Sequence, residues 1–182
     1  PDMAPEDRRR FLANADADAR RLALLVTRLL DLARADMAEP GEERRDAAQV
    51  VTRVADASRT TGFSIEIVGL AVLPIVTVPA TTLEAVLATL LENSKQAGAR
   101  SVTIQLSTTD TQLEVRVNDD GPGVPLADRG RLFEPFFTTK RDTGGTGLGL
   151  AISRSLIEAQ KGSLAISDSE ITAFVIRLPL AH

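Results

Sequence analysis

Two neighbouring stretches decide how this chain is read: Leu132-Phe133-Glu134-Pro135-Phe136-Phe137-Thr138-Thr139-Lys140 and Gly144-Gly145-Thr146-Gly147-Leu148-Gly149-Leu150. The second runs directly into an apolar segment whose spacing predicts a helix near Leu148–Gln160. Glycines let backbone N–H groups approach a ligand, and a helix start offers unpaired donors with partial positive charge. That arrangement suits phosphate oxygens; a flexible linker is the alternative. The stretch is no P-loop, because no Gly-Lys-Ser/Thr follows at the required spacing, and no Rossmann fingerprint, because the third glycine is missing. The first stretch holds three of the six phenylalanines, which are the chain's only aromatics. Such a concentration predicts a loop that docks by apolar burial, with Lys140 reaching a phosphate as a mobile point charge. A loop tucked permanently onto the core is the alternative.

Upstream, Asp119-Asp120-Gly121-Pro122-Gly123-Val124 follows a strand pattern. A carboxylate at that strand end, backed by a glycine turn, can accept a hydrogen bond from an exocyclic amine such as adenine N6. A plain Asp-Gly turn is the competing reading. Earlier still, Leu83, Val86, Leu87, Leu90 and Leu91 form one apolar face of a helix near Thr81–Ala97. Asn93 lies three residues past Leu90, at the edge of that face, where a polar group needs a partner. Hydrated Mg²⁺ would supply one, and so would backbone.

The remaining pattern surrounds these segments. Residues from about Glu6 to Ala35 predict one long helix, with Leu22, Leu25, Val26, Leu29 and Leu32 on one face and Arg20, Arg21, Arg28, Asp31 and Arg34 on the other. At 1.5 Å per residue it would run ~45 Å, which suits a bundle or coiled coil better than a surface helix of a small domain. Residues 39–45, Glu39-Pro40-Gly41-Glu42-Glu43-Arg44-Arg45, read as a linker. A helix over Ala47–Ser58 follows, then strands over Phe63–Val68 and Leu73–Val78. Strands Ser101–Ser107 and Gln112–Asn118 flank a short polar turn and predict a hairpin. The irregular stretch 121–146 is long enough to predict a functional lid. Strands over Ser163–Ser167 and Thr172–Leu178 close the chain. Strands and helices mix without strict alternation, which predicts an α+β fold: a two-layer sandwich, helices on one face of a mixed sheet, plus the long N-terminal helix.

Composition narrows the chemistry. The chain has 182 residues, 43% hydrophobic and 25% charged, an ordinary globular balance. It has no cysteine, so disulfides and thiolate metal sites are out. Its single histidine, His182, excludes a multi-histidine metal site and argues against a histidine-based triad. A net charge of −4 gives no expectation of a nucleic-acid surface. No apolar run reaches the ~20 residues of a membrane span, and residues 1–5 do not read as a signal peptide.

Taken together, the order and spacing of these segments resemble the N, G1, F and G2 boxes of the sensor histidine kinase catalytic domain, a branch of the GHKL (Bergerat) ATPases. The resemblance covers roughly Arg45 to Leu180, and Phe133–Lys140 followed by Gly145–Leu150 is its most specific part. It divides the chain into 1–38, similar to the second helix of a dimerisation and histidine-phosphotransfer bundle, a linker 39–45, and a catalytic ATP-binding domain 46–182. It implies ATP and Mg²⁺ as cofactors, with Asn93 on the metal and Asp119 on adenine N6. Gly121 and Gly123 would shape the adenine pocket, together with Gln96, Ala97, Val124 and Thr172. Gly145, Thr146, Gly147, Leu148, Gly149 and Leu150 would hold phosphates, Lys140 would assist, and Glu92 would serve as a base toward the imidazole. The implied activity is transfer of the γ-phosphoryl to a histidine on a bundle helix that this chain lacks, then relay to a response regulator receiver domain. The implied setting is a cytoplasmic homodimer joined through the N-terminal helix, any membrane anchor lying upstream. Three departures stand out. Thr89 replaces the usual asparagine, Gln96 stands where a basic residue is common, and Ile171 replaces a glycine. A non-catalytic nucleotide-gated scaffold and a clamp ATPase of the same superfamily are the alternatives.

Overall fold

The computed structural model describes residues 11–12, 19, 22–23, 26–27, 29–31, 33–34, 44–69, 75–140, 145–167 and 173–181. The described residues between 11 and 34 are helical. Leu22, Val26 and Leu29 of the predicted apolar stripe are 62%, 56% and 42% exposed, so no described residue covers them fully. Thr172, Ile171 and His182 lie outside the described residues. None of the described helices is long and apolar enough to cross a membrane.

The linker expectation is corrected at its end. Arg44–Asp46 form a short strand, β1, antiparallel to β3 (Ile75–Thr77). Backbone pairing to a distant strand is invisible to a reading based on local composition. Asp46 then switches the chain into α1 (Ala47–Ser58): its side chain accepts the Ala48 N–H at 2.9 Å, an N-cap that satisfies one of the orphan donors. Ala47, Val50, Val51, Val54 and Ala55 recur at helical spacing and are buried.

Five strands make the main sheet, in the order β2 (Ser64–Gly69), β4 (Ser101–Thr108), β5 (Gln112–Asp119), β7 (Ala173–Pro179), β6 (Ser163–Ile166). β2 and β4 are parallel, with Ser64 opposite Ser101. Parallel neighbours need a crossover, which α2 (Ala80–Gln96) provides. The other pairs are antiparallel, and the predicted hairpin is the β4–β5 pair. Alternation places Val102, Ile104 and Leu106 of β4 and Leu113, Val115 and Val117 of β5 on one buried face. Against them lie Leu83, Val86, Leu87, Leu90 and Leu91 of α2, none more than 1% exposed. α1 and α4 (Gly149–Ala159) flank α2 on the same side. The fold is therefore a two-layer α+β sandwich with a mixed sheet, and α2 is its central pillar.

Candidate functional site

Three elements end at one place. The last turn of α2, the end of β5 and the start of α4 surround a cavity of about 880 Å³, and described residues between β5 and α4 line its outer side. That segment contains one short helix, α3 (Leu126–Arg129), and is otherwise irregular where described.

The inner wall is fixed by the core. Asn93 is half-buried at the cavity, one position off the leucine stripe. Ser94 is on the stripe itself, four residues after Leu90, and is 1% exposed. Its hydroxyl reaches Oδ2 of Asp119 at 2.8 Å. The N–H of Gly121 donates to the other oxygen, Oδ1, at 3.0 Å. A side chain on Gly121 would place its Cβ 2.8 Å from that same oxygen, so glycine is what leaves the carboxylate in place. The adjacent aspartates have separate tasks. Asp119 borders the cavity, whereas Asp120 turns back to the start of β4 and accepts the N–H groups of Arg100 at 2.7 Å and Ser101 at 2.9 Å. Those amides, Ser101 first, hold the Asp120 carboxyl below the usual carboxylate range.

The outer wall is stapled to itself. The N–H of Phe136 donates to the Gly147 carbonyl at 2.9 Å, and the N–H of Gly145 to the Lys140 carbonyl at 2.9 Å. The phenylalanine segment and the glycine segment thus form one unit. Gly147 adopts φ +68°, and a Cβ there would stand 2.5 Å from the Phe136 carbonyl carbon. Only glycine fits both the conformation and the approach. Phe133 packs partly against the core, while Phe136 remains 49% exposed. The docking expected of the three rings is therefore shared unequally.

Lys140 reaches from this wall to the inner one, and its Nζ donates to the Asn93 carbonyl at 3.2 Å. Burial lowers its pKa, and the carboxylates of Asp119 and Glu92 oppose that shift. Glu92 itself accepts the Gln96 side-chain amide at 3.0 Å on the exposed rim. Below them α4 begins at Gly149 without a side-chain cap, which leaves a helix start facing the cavity. The Leu148 side chain is fully buried and its N–H meets the Thr146 hydroxyl at 3.4 Å. Gly149 allows α4 to approach α2 at Thr89, whose hydroxyl is committed to the Ala85 carbonyl at 2.9 Å.

Of the residues singled out from sequence, Glu92, Asn93, Gln96, Ala97, Asp119, Gly123, Val124, Lys140, Gly145, Thr146, Gly147, Gly149 and Leu150 border this one cavity. Gly121 stands behind Asp119, Leu148 is in the core, and Thr172 falls outside the described residues. Sequence reasoning did not assign Ser94, Asp128, Phe137 or Ile152 to the site, yet all four line it. For Ser94 a signal existed: it is a polar residue at the next position of an apolar helical stripe. Asp31 and Arg34 of the N-terminal segment also border the cavity.

With this geometry in hand, the comparisons with known proteins fall into place. Residues 79–182 match the family of histidine kinase-, DNA gyrase B- and HSP90-like ATPases. The chain belongs to that family, whose domain binds ATP, and its fold is that of the ATP-binding domain of sensor histidine kinases. The probable sensor histidine kinase TcrY of Mycobacterium tuberculosis is 34% identical over 187 residues, covering 97% of this chain and 39% of the relative. The sensor histidine kinase CpxA of Escherichia coli is 35% identical over 104 residues, 54% of this chain and 23% of that protein. The chain thus spans well under half of each of these relatives. Among solved structures, the catalytic domain of the histidine kinase ThkA superposes with a TM-score of 0.66 at 25% identity, over 76% of this chain and 97% of that one. Full-length ShkA in complex with AMPPNP gives a TM-score of 0.73 at 24% identity, over 99% of this chain and 40% of that one, and so shares the fold.

Proposed function

We propose that this chain is the ATP-binding catalytic part of a two-component sensor histidine kinase, transferring the γ-phosphoryl of ATP to a histidine on a bundle helix outside residues 1–182, for relay to a response regulator receiver domain. One observation carries the reading: Asn93, Asp119, Lys140 and the glycine segment before α4 converge on a single cavity large enough for a nucleotide. In this proposal the Asp119 carboxylate accepts the adenine amine, with Gln96, Ala97, Gly121, Gly123, Val124 and Thr172 around the base. Gly145–Leu150 and the start of α4 receive the phosphates through backbone N–H groups, and Lys140 adds a charge beside them. The side-chain oxygen of Asn93 takes Mg²⁺. Among the described residues no three acidic or histidine side chains group to hold a metal alone. That suits Mg²⁺, which favours one or two protein ligands with phosphate and water completing the shell. Bound there, the cation would neutralise charge on the phosphates. Glu92, on the exposed rim, is the base toward the incoming imidazole.

Residues 1–38 are assigned to the dimerisation bundle, 39–45 to the connection and 46–182 to the catalytic domain, with the lid over 121–146. The exposed stripe Leu22, Val26 and Leu29 supports a homodimer through this helix. ATP and a receiver domain as partners place the working protein in the cytoplasm. Thr89 supports a transferase over a water-activating ATPase, because its hydroxyl is already donated to backbone and is a poor general base.

The test is incubation with radiolabelled ATP, with and without a supplied helix bearing the histidine, followed by acid treatment. Acid-labile label on the helix, and none on this chain alone, is the expected result. No label with a complete bundle would replace the kinase with a non-catalytic nucleotide-gated scaffold.

A further inference from the structure

Ser94 is one of few fully buried polar residues in the described chain. Serine on a leucine-rich helix is ordinarily satisfied by the carbonyl one turn back. Here the Leu90 carbonyl lies at 3.2 Å, but Oδ2 of Asp119 lies nearer, at 2.8 Å. A hydroxyl has one proton to give, and a carboxylate is the stronger acceptor. The hydroxyl therefore spends its hydrogen across elements, from the helix to the end of β5. The opposite oxygen, Oδ1, is held by the Gly121 N–H at 3.0 Å.

We propose that Ser94 is the positioning residue that sets the base specificity of the pocket: with Gly121 it clamps both oxygens of Asp119, so that the lone pairs left over face the cavity as oriented acceptors. The proposal rests on the adenine role of Asp119 given above, and goes beyond it to a residue that acts through Asp119. A carboxylate has about four lone-pair sites and rotates readily about Cβ–Cγ when held at one oxygen only. Lys140, whose ammonium interacts with Asp119 across the site, is the nearby competitor for a carboxylate that turns. Held by Ser94, the group keeps its acceptor edge toward the base. Such an edge suits a purine bearing an amine at C6 and opposes one bearing a carbonyl oxygen there, since two acceptors then meet. In the reading above Asn93 acts on the other end of the ligand, so the effect falls on recognition of the base.

The experiment compares binding of adenosine diphosphate and purine riboside diphosphate, which differ only in the C6 amine, by calorimetry on the whole chain. Wild type favours the adenosine form by ~tenfold, the size of one good hydrogen bond to a charged group. Ser94→Ala collapses most of that ratio by weakening only the adenosine form, and Ser94→Thr, which keeps the hydroxyl, restores it. Should Ser94→Ala fail to fold, Ser94→Cys keeps the volume with a weaker donor and takes its place. Equal loss of both ligands, or an unchanged ratio in a folded variant, overturns the positioning role. Retention of the wild-type ratio by Asp119→Ala is a different pattern, and defeats the adenine reading itself.

Discussion

The two walls of the cavity are held in different ways. The inner wall is the last turn of α2, whose Leu83, Leu87, Leu90 and Leu91 are at most 1% exposed. In the outer wall, no described residue from 121 to 140 is fully buried, and Leu126 is 80% exposed. Helix α2 is fixed by burial of its whole leucine face, and Ser94 on that face ties Asp119 to it. The described part of the outer wall has backbone hydrogen bonds to itself and a few half-buried rings. Elements with few buried contacts open at a fraction of the global unfolding free energy. In the proposed reading, the base falls to the wall backed by the core and the phosphates to the wall with few buried contacts.

That contrast can be broken most directly at its root. Leu90→Ala should cost ~2–5 kcal/mol by denaturant unfolding, because it opens a void in the pillar of the fold. Phe136→Ala, at the exposed ring of the lid, should change stability by less than ~0.5 kcal/mol. Similar losses from the two would mean that the lid is part of the core after all.

Next in size is Asp119→Ala. It should weaken ADP binding by ~1–3 kcal/mol in a calorimetric titration, leaving a buried donor of the base unpaired. An unchanged affinity in a folded variant would remove the inner wall from recognition.

Gly147→Ala should then act on the outer wall alone. Its Cβ meets Phe136 at φ +68°, so the staple between the two lid segments must loosen, at ~1–3 kcal/mol of local strain. Hydrogen exchange should speed up at residues 124–140 and stay unchanged in α2. Saturating ADP should slow exchange in the wild-type lid; identical protection with and without it would end the idea of a lid that orders on binding.

The smallest effect concerns Lys140. Burial depresses its pKa in the folded chain, so the unfolded chain binds more protons over the interval between the two values. Stability attributable to this group therefore rises with pH between the depressed value and the ordinary lysine value, and the penalty is fully present only below the depressed value. Melting curves of Lys140→Met against wild type should show wild type gaining on the variant as pH rises there. Parallel pH profiles would mean that Lys140 stays solvated, away from the inner wall.

Much of this was legible in the residues. Local periodicity located α1 near Ala47–Ser58, α2 near Thr81–Ala97 (observed over Ala80–Gln96) and the β4–β5 hairpin, because each buries one face and its spacing says which. The order of Asn93, Asp119, the phenylalanines and the glycines pointed to one nucleotide site. Some features had no local signal. The pairing of Arg44–Asp46 with Ile75–Thr77 is a backbone contact between segments far apart in the chain, made by groups that nearly every residue carries. The division between Asp119 and Asp120 depends on which of two adjacent carboxylates the β4 amides capture. The sequence by itself determined the layers and the candidate chemistry, since hydrophobic period and residue type act locally. Only the tertiary structure decided that Ser94 meets Asp119, and that Gly147 fits under Phe136. A hydrogen bond or a close approach depends on distance between elements, and that distance is set by how the whole core packs.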